Sequence, residues 1–252
     1  MMKKLYEKSE LSFALFWIVV YCIAQSTAFP LSQMIGIESA ANAAFSVILT
    51  VILFCWVKKN GLMERYGLCR TSLPAARFLW YLPLVLLVSE NLWNGVAINF
   101  PLAGTLCYMT NMLCVGFLEE ILFRGFLFKA IIAKDGAKKA IIISSVTFGL
   151  GHLLNLLNGR GMELVTNLCQ VTGAIAIGFL LVTIFYRGGS LWPCILTHSG
   201  IDVVSTFGSE AGLTDTGRII LNLIRSAIVI AYTLILMRTL PEGEEGGHQQ
   251  SE

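Results

Sequence analysis

The chain has 252 residues, of which 56% are apolar and only 13% carry a charged side chain. Soluble domains contain about 45–50% apolar and about 25% charged residues, so this composition excludes an ordinary soluble enzyme, a disordered chain and a nucleic-acid-binding surface. The net charge of +2 carries little information. Apolar runs close to the ~20 residues that span a bilayer as a helix recur along the chain, and they predict an all-α, polytopic membrane protein.

Eight helices are predicted, and they form a bundle of about eight transmembrane segments. In chain order they cover 11–29, 39–57, 77–98, 103–130, 139–157, 163–186, 190–207 and 216–238. We expect one transmembrane domain over 1–240, with a motif-bearing core at 103–207. The stretch 241–252 is mostly Gly, Glu and Gln and is predicted to be a disordered polar tail. In the sixth helix, Ala174 and Gly178 form a small-x-x-x-small pair, which predicts close helix packing.

The basic residues predict the orientation in the membrane. Fourteen of the eighteen lysines and arginines fall on one side of the predicted bundle, and two, Arg160 and Arg218, fall on the other. The remaining two lie within predicted helices. Because cytoplasmic loops are enriched in Lys and Arg, we expect both termini to be cytoplasmic, together with the loops at 58–77 and 129–139.

Ionisable residues inside the predicted helices are functional candidates, because a charged side chain in hydrocarbon is costly unless it is paired or faces water. Glu120 and Arg124 lie four positions apart, so they share one helix face and can pair. Glu119 points about 100° away from Glu120 around the helix and needs a partner from another helix. His198 and Asp202 are also four positions apart, and a carboxylate so placed can hold the imidazole in one tautomer.

His152 is the other histidine inside a predicted helix, and Glu90 and Arg225 lie in the third and last helices. A rise of about 1.5 Å per residue brings Glu119, His152 and His198 to one cavity, which is expected to open on the cytoplasmic side. The alternative is that these residues are only polar ties between helices.

Three ordered motifs contain these residues. They are Glu119-Glu120-x-x-x-Arg124, Phe148-x-x-x-His152 and His198-x-x-x-Asp202. Their order on separate membrane helices resembles the CAAX protease and bacteriocin-processing family (CPBP, or Abi) of intramembrane endopeptidases. The resemblance covers residues 107–207, the fourth to seventh predicted helices.

The resemblance implies that Glu119 and His152 activate a water molecule for attack on a peptide bond. The other motif residues are implied to support the site (Glu120 and Arg124) or the oxyanion (His198 and Asp202). Asp202 departs from the eukaryotic CAAX pattern, which has asparagine at this position. An ionised aspartate cannot donate a hydrogen bond to an oxyanion, so Asp202 is either protonated or restricted to orienting His198.

The sequence therefore predicts an intramembrane endopeptidase that cleaves a membrane-associated protein or peptide in a bacterial plasma membrane. Its expected partners are this substrate and the lipid bilayer, with no nucleic acid and no cofactor. One alternative is a zinc-dependent variant in which Glu119, His152 and His198 are the ligands. Another is a non-enzymatic membrane protein with a role in bacteriocin immunity or transport. Neither the substrate nor the oligomeric state follows from the sequence.

Overall fold

The computed structural model describes residues 2–71, 73–157 and 163–241. The α-helices are α1 (Met2–Lys8), α2 (Glu10–Ile35), α3 (Ala40–Lys59), α4 (Leu82–Val88), α5 (Leu102–Glu120), α6 (Phe128–Asp135), α7 (Ala137–Gly151), α8 (Leu154–Leu157), α9 (Leu164–Gly188), α10 (Trp192–Ser205) and α11 (Asp215–Thr239). Two 3₁₀ segments, Ala75–Tyr81 and Glu90–Leu92, and one π-helical segment, Ile121–Leu127, lie between them. The predicted all-α membrane fold is confirmed. Arg160 and the predicted tail beyond Pro241 lie outside the described residues.

Within the described ranges, five helices are long and apolar enough to cross a membrane. They are Glu10–Ile35, Ala40–Lys59, Ala137–Leu156, Leu164–Gly188 and Asp215–Thr239. Large apolar side chains such as Ile23, Val51 and Leu223 are exposed on the outer faces of these helices, where lipid would cover them. The chain is an integral membrane protein, although the predicted count of eight full spans is not confirmed.

The third predicted helix, 77–98, is the main departure from expectation. The chain there forms the 3₁₀ segment Ala75–Tyr81, the two-turn helix α4 and the 3₁₀ turn Glu90–Leu92. No helix continues to Gly95. Gly95 adopts a φ of 113°, which ends the helix, and Asn91 donates a hydrogen bond to the Ile201 carbonyl of α10 instead of facing lipid. A 3₁₀ helix rises about 2.0 Å per residue against about 1.5 Å in an α-helix, so residues 75–92 still extend roughly 30 Å.

The first helix is longer than predicted because it continues through Pro30. The prediction of 11–29 stopped at the proline, whereas α2 runs to Ile35 and ends at Gly36, which has a φ of 75°. At its start, the Ser9 hydroxyl accepts a hydrogen bond from the Ser12 amide at 3.1 Å, which caps the helix. Pro30 lacks the N–H of one helix hydrogen bond and its ring crowds the carbonyl four residues earlier, but the apolar surroundings retain the rest of the helix.

The fourth predicted helix, 103–130, forms one continuous helical rod with a π-helical centre. Helices α5 and α6 are joined by Ile121–Leu127, and all seven residues of that segment are buried. Such π segments occur frequently at functional sites, because the wider turn changes the direction in which side chains project. Here the segment follows Glu120 directly and contains Arg124.

Two glycines allow the helices around the site to approach closely. A Cβ atom at Gly116 of α5 would lie 2.6 Å from the Ser199 nitrogen of α10, so a larger residue does not fit there. A Cβ at Gly178 of α9 would lie 3.1 Å from Ser145 Cα of α7. The close packing predicted from Gly178 is therefore present, between α9 and α7.

Basic segments meet at one end of the bundle, which we name the basic end. Arg65 and Tyr66 both donate to Glu10 at the start of α2, at 3.0 Å and 2.6 Å. Arg77 donates to the Thr239 carbonyl at the end of α11, at 2.8 Å. Burial raises the pKa of the Tyr66 phenol well above its ordinary value, so the hydroxyl stays protonated as a donor.

Candidate active site

A buried ion pair lies at the centre of the site. Glu120 is the last residue of α5, and its Oε1 accepts a hydrogen bond from Arg124 Nη1 at 2.9 Å, as the four-residue spacing predicted. Both side chains are 0% exposed. The Arg124 guanidinium also lies 4.1 Å from the centroid of the Phe148 ring, in cation–π geometry. Because removal of either partner would leave an unpaired charge in the bundle interior, the pair is strongly constrained.

Glu120 also orients His198. The same Oε1 accepts a hydrogen bond from His198 Nδ1 at 2.7 Å, across from α10. An ionised carboxylate only accepts hydrogen bonds, so Nδ1 carries a proton and Nε2 is the ring nitrogen that faces away from Glu120. Nε2 lies 3.4 Å from Asp202 Oδ2 and 3.7 Å from Glu119 Oε2.

The position of Asp202 differs from one reading of the sequence. The spacing of His198 and Asp202 suggested that Asp202 holds the imidazole in one tautomer. In the structure Glu120 occupies that position on Nδ1, and Asp202 lies beside the opposite nitrogen. Its carboxylate is therefore close enough to form an ion pair with His198 when the ring is protonated.

Glu119 has the partner from another helix that the sequence required. The Tyr21 hydroxyl of α2 donates to Glu119 Oε1 at 2.7 Å, and Tyr21 is buried. Sequence reasoning missed this residue because no motif contains it. The available signal was a polar stripe on one face of an otherwise apolar helix, since Gln25 lies one turn from Tyr21 and Ser32 two turns further. Gln25 donates to Ser46 of α3 at 2.7 Å, so the stripe faces the bundle interior.

His152 follows the last residue of α7. Its Nδ1 lies 3.2 Å from the Phe148 carbonyl, and because a carbonyl only accepts, this nitrogen is the donor. The four-residue spacing of the second motif thus fixes the imidazole through the backbone and leaves Nε2 as the basic nitrogen. The His152 carbonyl accepts a hydrogen bond from Asn167 of α9 at 2.8 Å, which holds this chain segment in place.

One cavity of about 610 Å³ collects the predicted site residues. Four of the six line its wall, namely Glu119, His152, His198 and Asp202, and Tyr21 lines it as well. Glu120 and Arg124 lie behind this wall, fully buried. The arrangement places two carboxylates and two imidazoles beside a space large enough for a peptide segment, with the Glu120–Arg124 ion pair as support.

A second ion pair lies in the same cavity. Arg225 of α11 donates to Glu90 Oε1 at 3.0 Å and to Asn222 at 2.9 Å. Gly173 of α9 makes room for the guanidinium, since a Cβ there would lie 3.0 Å from Arg225 Cζ. This ion pair joins α11 to the 3₁₀ turn Glu90–Leu92, which lies within the third predicted helix.

The alternative zinc ligands, Glu119, His152 and His198, all line the cavity. Among residues 2–71, 73–157 and 163–241, no group of three or more His, Cys, Asp or Glu side chains is arranged to hold a metal ion. Glu119 and His198 approach each other to 3.7 Å, but His152 directs one ring nitrogen to the Phe148 carbonyl.

The segment 101–204 matches the model of a family described as Type II CAAX prenyl endopeptidase Rce1-like. This segment is therefore similar to that family. The Rce1-like segment contains all three motifs, from Glu119 to Asp202, so the predicted resemblance to the CAAX protease family is confirmed over these residues. The match supports a CAAX-protease type of intramembrane endopeptidase in general. No curated protein and no solved structure matches the chain.

Proposed function

We propose that the chain is an intramembrane endopeptidase that hydrolyses a peptide bond in a membrane-associated protein or peptide, using water activated by Glu119 and His152. The observation that carries this proposal is the meeting of three motifs from separate helices on one cavity, inside the Rce1-like segment. Glu119 accepts a hydrogen bond from Tyr21 of α2, but its carboxylate also lines the cavity together with His152 and Asp202, which a residue that serves only as a helix tie does not need to do.

Glu119 is the proposed general base. Its carboxylate, held by the Tyr21 hydroxyl, removes a proton from the water while the water oxygen attacks the carbonyl carbon of the peptide bond. His152 presents Nε2 to the same water and orients it. The proton held by Glu119 then passes to the amide nitrogen as the C–N bond breaks, which releases a carboxylate and an amine. A positioned base of this kind contributes about 10²–10⁴-fold in rate.

His198 is the proposed oxyanion donor. With Nδ1 committed to Glu120, a protonated imidazole presents its second N–H, on Nε2, to the negative oxygen of the tetrahedral intermediate. The Asp202 carboxylate, with Oδ2 3.4 Å from Nε2, stabilises the positive charge of the protonated ring before the substrate binds. Loss of one such donor typically costs about 10²–10³-fold in rate.

The proposed location is a bacterial plasma membrane, with both termini in the cytoplasm. The basic end supports this orientation, because it contains the start of α2, the end of α11 and the contacts of Arg65 and Arg77. Lysines and arginines accumulate on the cytoplasmic side of membrane proteins. A leader-bearing peptide or a small membrane protein is the proposed substrate.

Peptide mass spectrometry of membranes tests this function. Membranes that contain the wild type should accumulate cleavage products that are absent with Glu119→Gln, at equal protein levels. Products that form equally with both variants would contradict the proposal and favour a binding or transport role. Chelation followed by zinc addition distinguishes the zinc-dependent variant, since activity would then be lost and regained.

A further inference from the structure

Most residues that line the cavity lie in the half of the bundle that is farther from the basic end. Helix α2 runs away from the basic end, and its lining residues, Tyr21 to Ser26, lie beyond its first turns. Helix α9 runs towards the basic end, and its lining residues, Thr166 to Ile177, lie within its first fourteen residues of 25. The same holds for α11, whose lining residues end at Arg225. The open space therefore extends from the site away from the basic end.

Towards the basic end the site is closed by packed side chains. The π-helical segment that follows Glu120 is entirely buried. Phe126 in that segment is 0% exposed, and its ring lies 4.7 Å from the Tyr66 ring and 5.2 Å from the Phe13 ring, between centroids. These close ring contacts fill the interior between the site and the basic end around Phe126. A second cavity, of about 630 Å³, lies at the basic end beside Ser190 and Thr197, but none of its described lining residues lines the cavity that contains Glu119.

The loop after α3 adds a second closure at the basic end. The Leu191 amide donates to the Gly67 carbonyl at 2.7 Å, and the Ser190 hydroxyl donates to the Cys69 carbonyl at 2.8 Å. A Cβ at Gly67 would lie 3.0 Å from the Leu191 nitrogen, so the loop lies directly on the start of α10. The loop thus covers one side of the start of α10, while Trp192 on another side of its first turn is 40% exposed.

At the opposite end the cavity has a polar rim, which we name the mouth. Asn94 and the loop after α10, with Ser209, Glu210 and Leu213, line this rim together, and hydrogen bonds join the two segments to each other. Asn94 and Glu210 are exposed, and Asn94 donates to the Ser209 carbonyl at 2.8 Å. A peptide backbone needs hydrogen-bond partners when it enters a membrane protein. The polar side chains between the exposed rim and the site can provide them.

We infer that the substrate reaches Glu119 through the mouth, from the end of the bundle opposite to the basic end. With the basic end in the cytoplasm, the substrate class is a peptide segment presented on the extracytoplasmic side of the membrane. This inference rests on the proposed function, and it replaces the sequence-based expectation of a cavity that opens to the cytoplasm. From Ser205 to His198, α10 spans about 10 Å, a distance that about three extended residues cover. Cleavage is therefore expected a few residues inside the mouth, and not at its rim.

Thiol accessibility tests the direction of access. Cys169 lines the cavity in the wild type, Ser205→Cys adds a second thiol one turn beyond Asp202, and Lys59→Cys supplies an exposed thiol at the basic end. A charged, membrane-impermeant thiol reagent is added to intact cells and, separately, to inside-out vesicles. Peptide mapping by mass spectrometry then identifies each modified cysteine, and Cys55, which faces outward on α3, serves as the lipid-facing control.

We expect Cys169 and Ser205→Cys to react at least ten times faster from the face opposite to the one from which Lys59→Cys reacts. Reaction from the same face as Lys59→Cys, at equal rates from both faces, or from neither face would overturn the inference. The labelling result does not depend on proteolysis. If the thiols label as expected but no cleavage products form, the inferred direction of access stands and the proposed function is contradicted. If cleavage products form but the thiols label from the basic end, the proposed function stands and the inferred direction of access is contradicted.

Discussion

The Nδ1 atom of His198 lies 2.7 Å from Oε1 of Glu120, a residue 78 positions earlier in the chain. This hydrogen bond joins α10 to the end of α5 and makes the first and third motifs one unit. Because the same oxygen also accepts from Arg124 at 2.9 Å, the arginine, the glutamate and the histidine form a continuous buried chain of contacts. Removal of any member should therefore affect the others.

Arg124→Ala should lower both stability and activity. The change leaves the Glu120 carboxylate buried without its cation, and one-sided loss of a buried pair costs about 3–5 kcal/mol. The double variant Glu120→Gln with Arg124→Leu should recover part of the stability without activity. Thermal melting in detergent measures this. Lys139→Ala is the matched control, because its i,i+4 pair with Asp135 is on the surface and should contribute little. An Arg124→Ala melt equal to the wild type would contradict the structural role.

Glu119→Gln should abolish hydrolysis while the fold is retained. The amide has nearly the same volume as the carboxylate and still accepts from Tyr21, but it does not remove a proton from water. The rate of peptide cleavage should fall by about 10²–10⁴-fold, with an unchanged melting temperature. Glu64→Gln, in the loop at the basic end, is the control and should retain full activity. Full activity in Glu119→Gln would exclude this residue as the base.

Tyr21→Phe should reduce the rate less than Glu119→Gln does. A hydrogen bond to a charged group contributes about 1.5–3 kcal/mol, so a loss of roughly 10- to 100-fold in kcat is expected if the hydroxyl positions the base. The measurement is kcat and KM on one peptide, with the effect falling mainly on kcat. Tyr81→Phe removes a buried hydroxyl outside the cavity and is the control. Equal activities of Tyr21→Phe and Tyr81→Phe would remove Tyr21 from the site.

Gly116→Ala should separate α5 from α10 and disturb the contact between Glu120 and His198. The new methyl group would lie 2.6 Å from the Ser199 nitrogen, and overpacking of this kind costs about 1–3 kcal/mol. Thermal melting and the cleavage rate should both decrease. Gly151→Ala offers the comparison, because a Cβ at that helical position meets nothing within 4 Å. Equal stability of the two variants would show that the bundle tolerates the separation.

Labelling of Cys69 should report the orientation of the bundle. This residue lies in the loop at the basic end, where the Ser190 hydroxyl binds its carbonyl. Burial raises the pKa of the Cys69 thiol, so the reaction should be slow at neutral pH and faster as the pH rises towards 9. We expect modification from the cytoplasmic face alone. Modification only from outside the cell would reverse the orientation.

Much of the fold follows from local sequence signals. The apolar runs that became α3, α9 and α11 were placed within two residues of their observed ends. Gly189, with a φ of 68°, ends α9, and the Thr214 hydroxyl caps α11 by accepting from the Gly217 amide. Such caps and long apolar stretches act within a few residues of chain, so they can be predicted without tertiary information.

Other features depend on contacts between distant residues. The spacing of apolar residues in the sequence does not distinguish the 3₁₀ helix at 75–81 or the π-helical turn at 121–127 from an α-helix. The Tyr21–Glu119 hydrogen bond joins residues 98 positions apart, and nothing in either local sequence specifies it. Likewise, the helix directions and the rise per residue predicted that Glu119, His152 and His198 share one cavity, but they do not determine the end of the bundle at which it opens, because that depends on where the aromatic residues around Phe126 pack.

Phe148 has a consequence for how substitutions combine. Its ring centroid lies 5.4 Å from that of His152 and 5.6 Å from that of His198, and the Arg124 guanidinium stacks at 4.1 Å. One aromatic side chain thus touches a member of each motif. Free-energy changes measured at these positions will not add, because each single variant already alters the surface on which the others rest. Exchange of one motif for that of another protein would therefore require the residue at position 148 to change together with it.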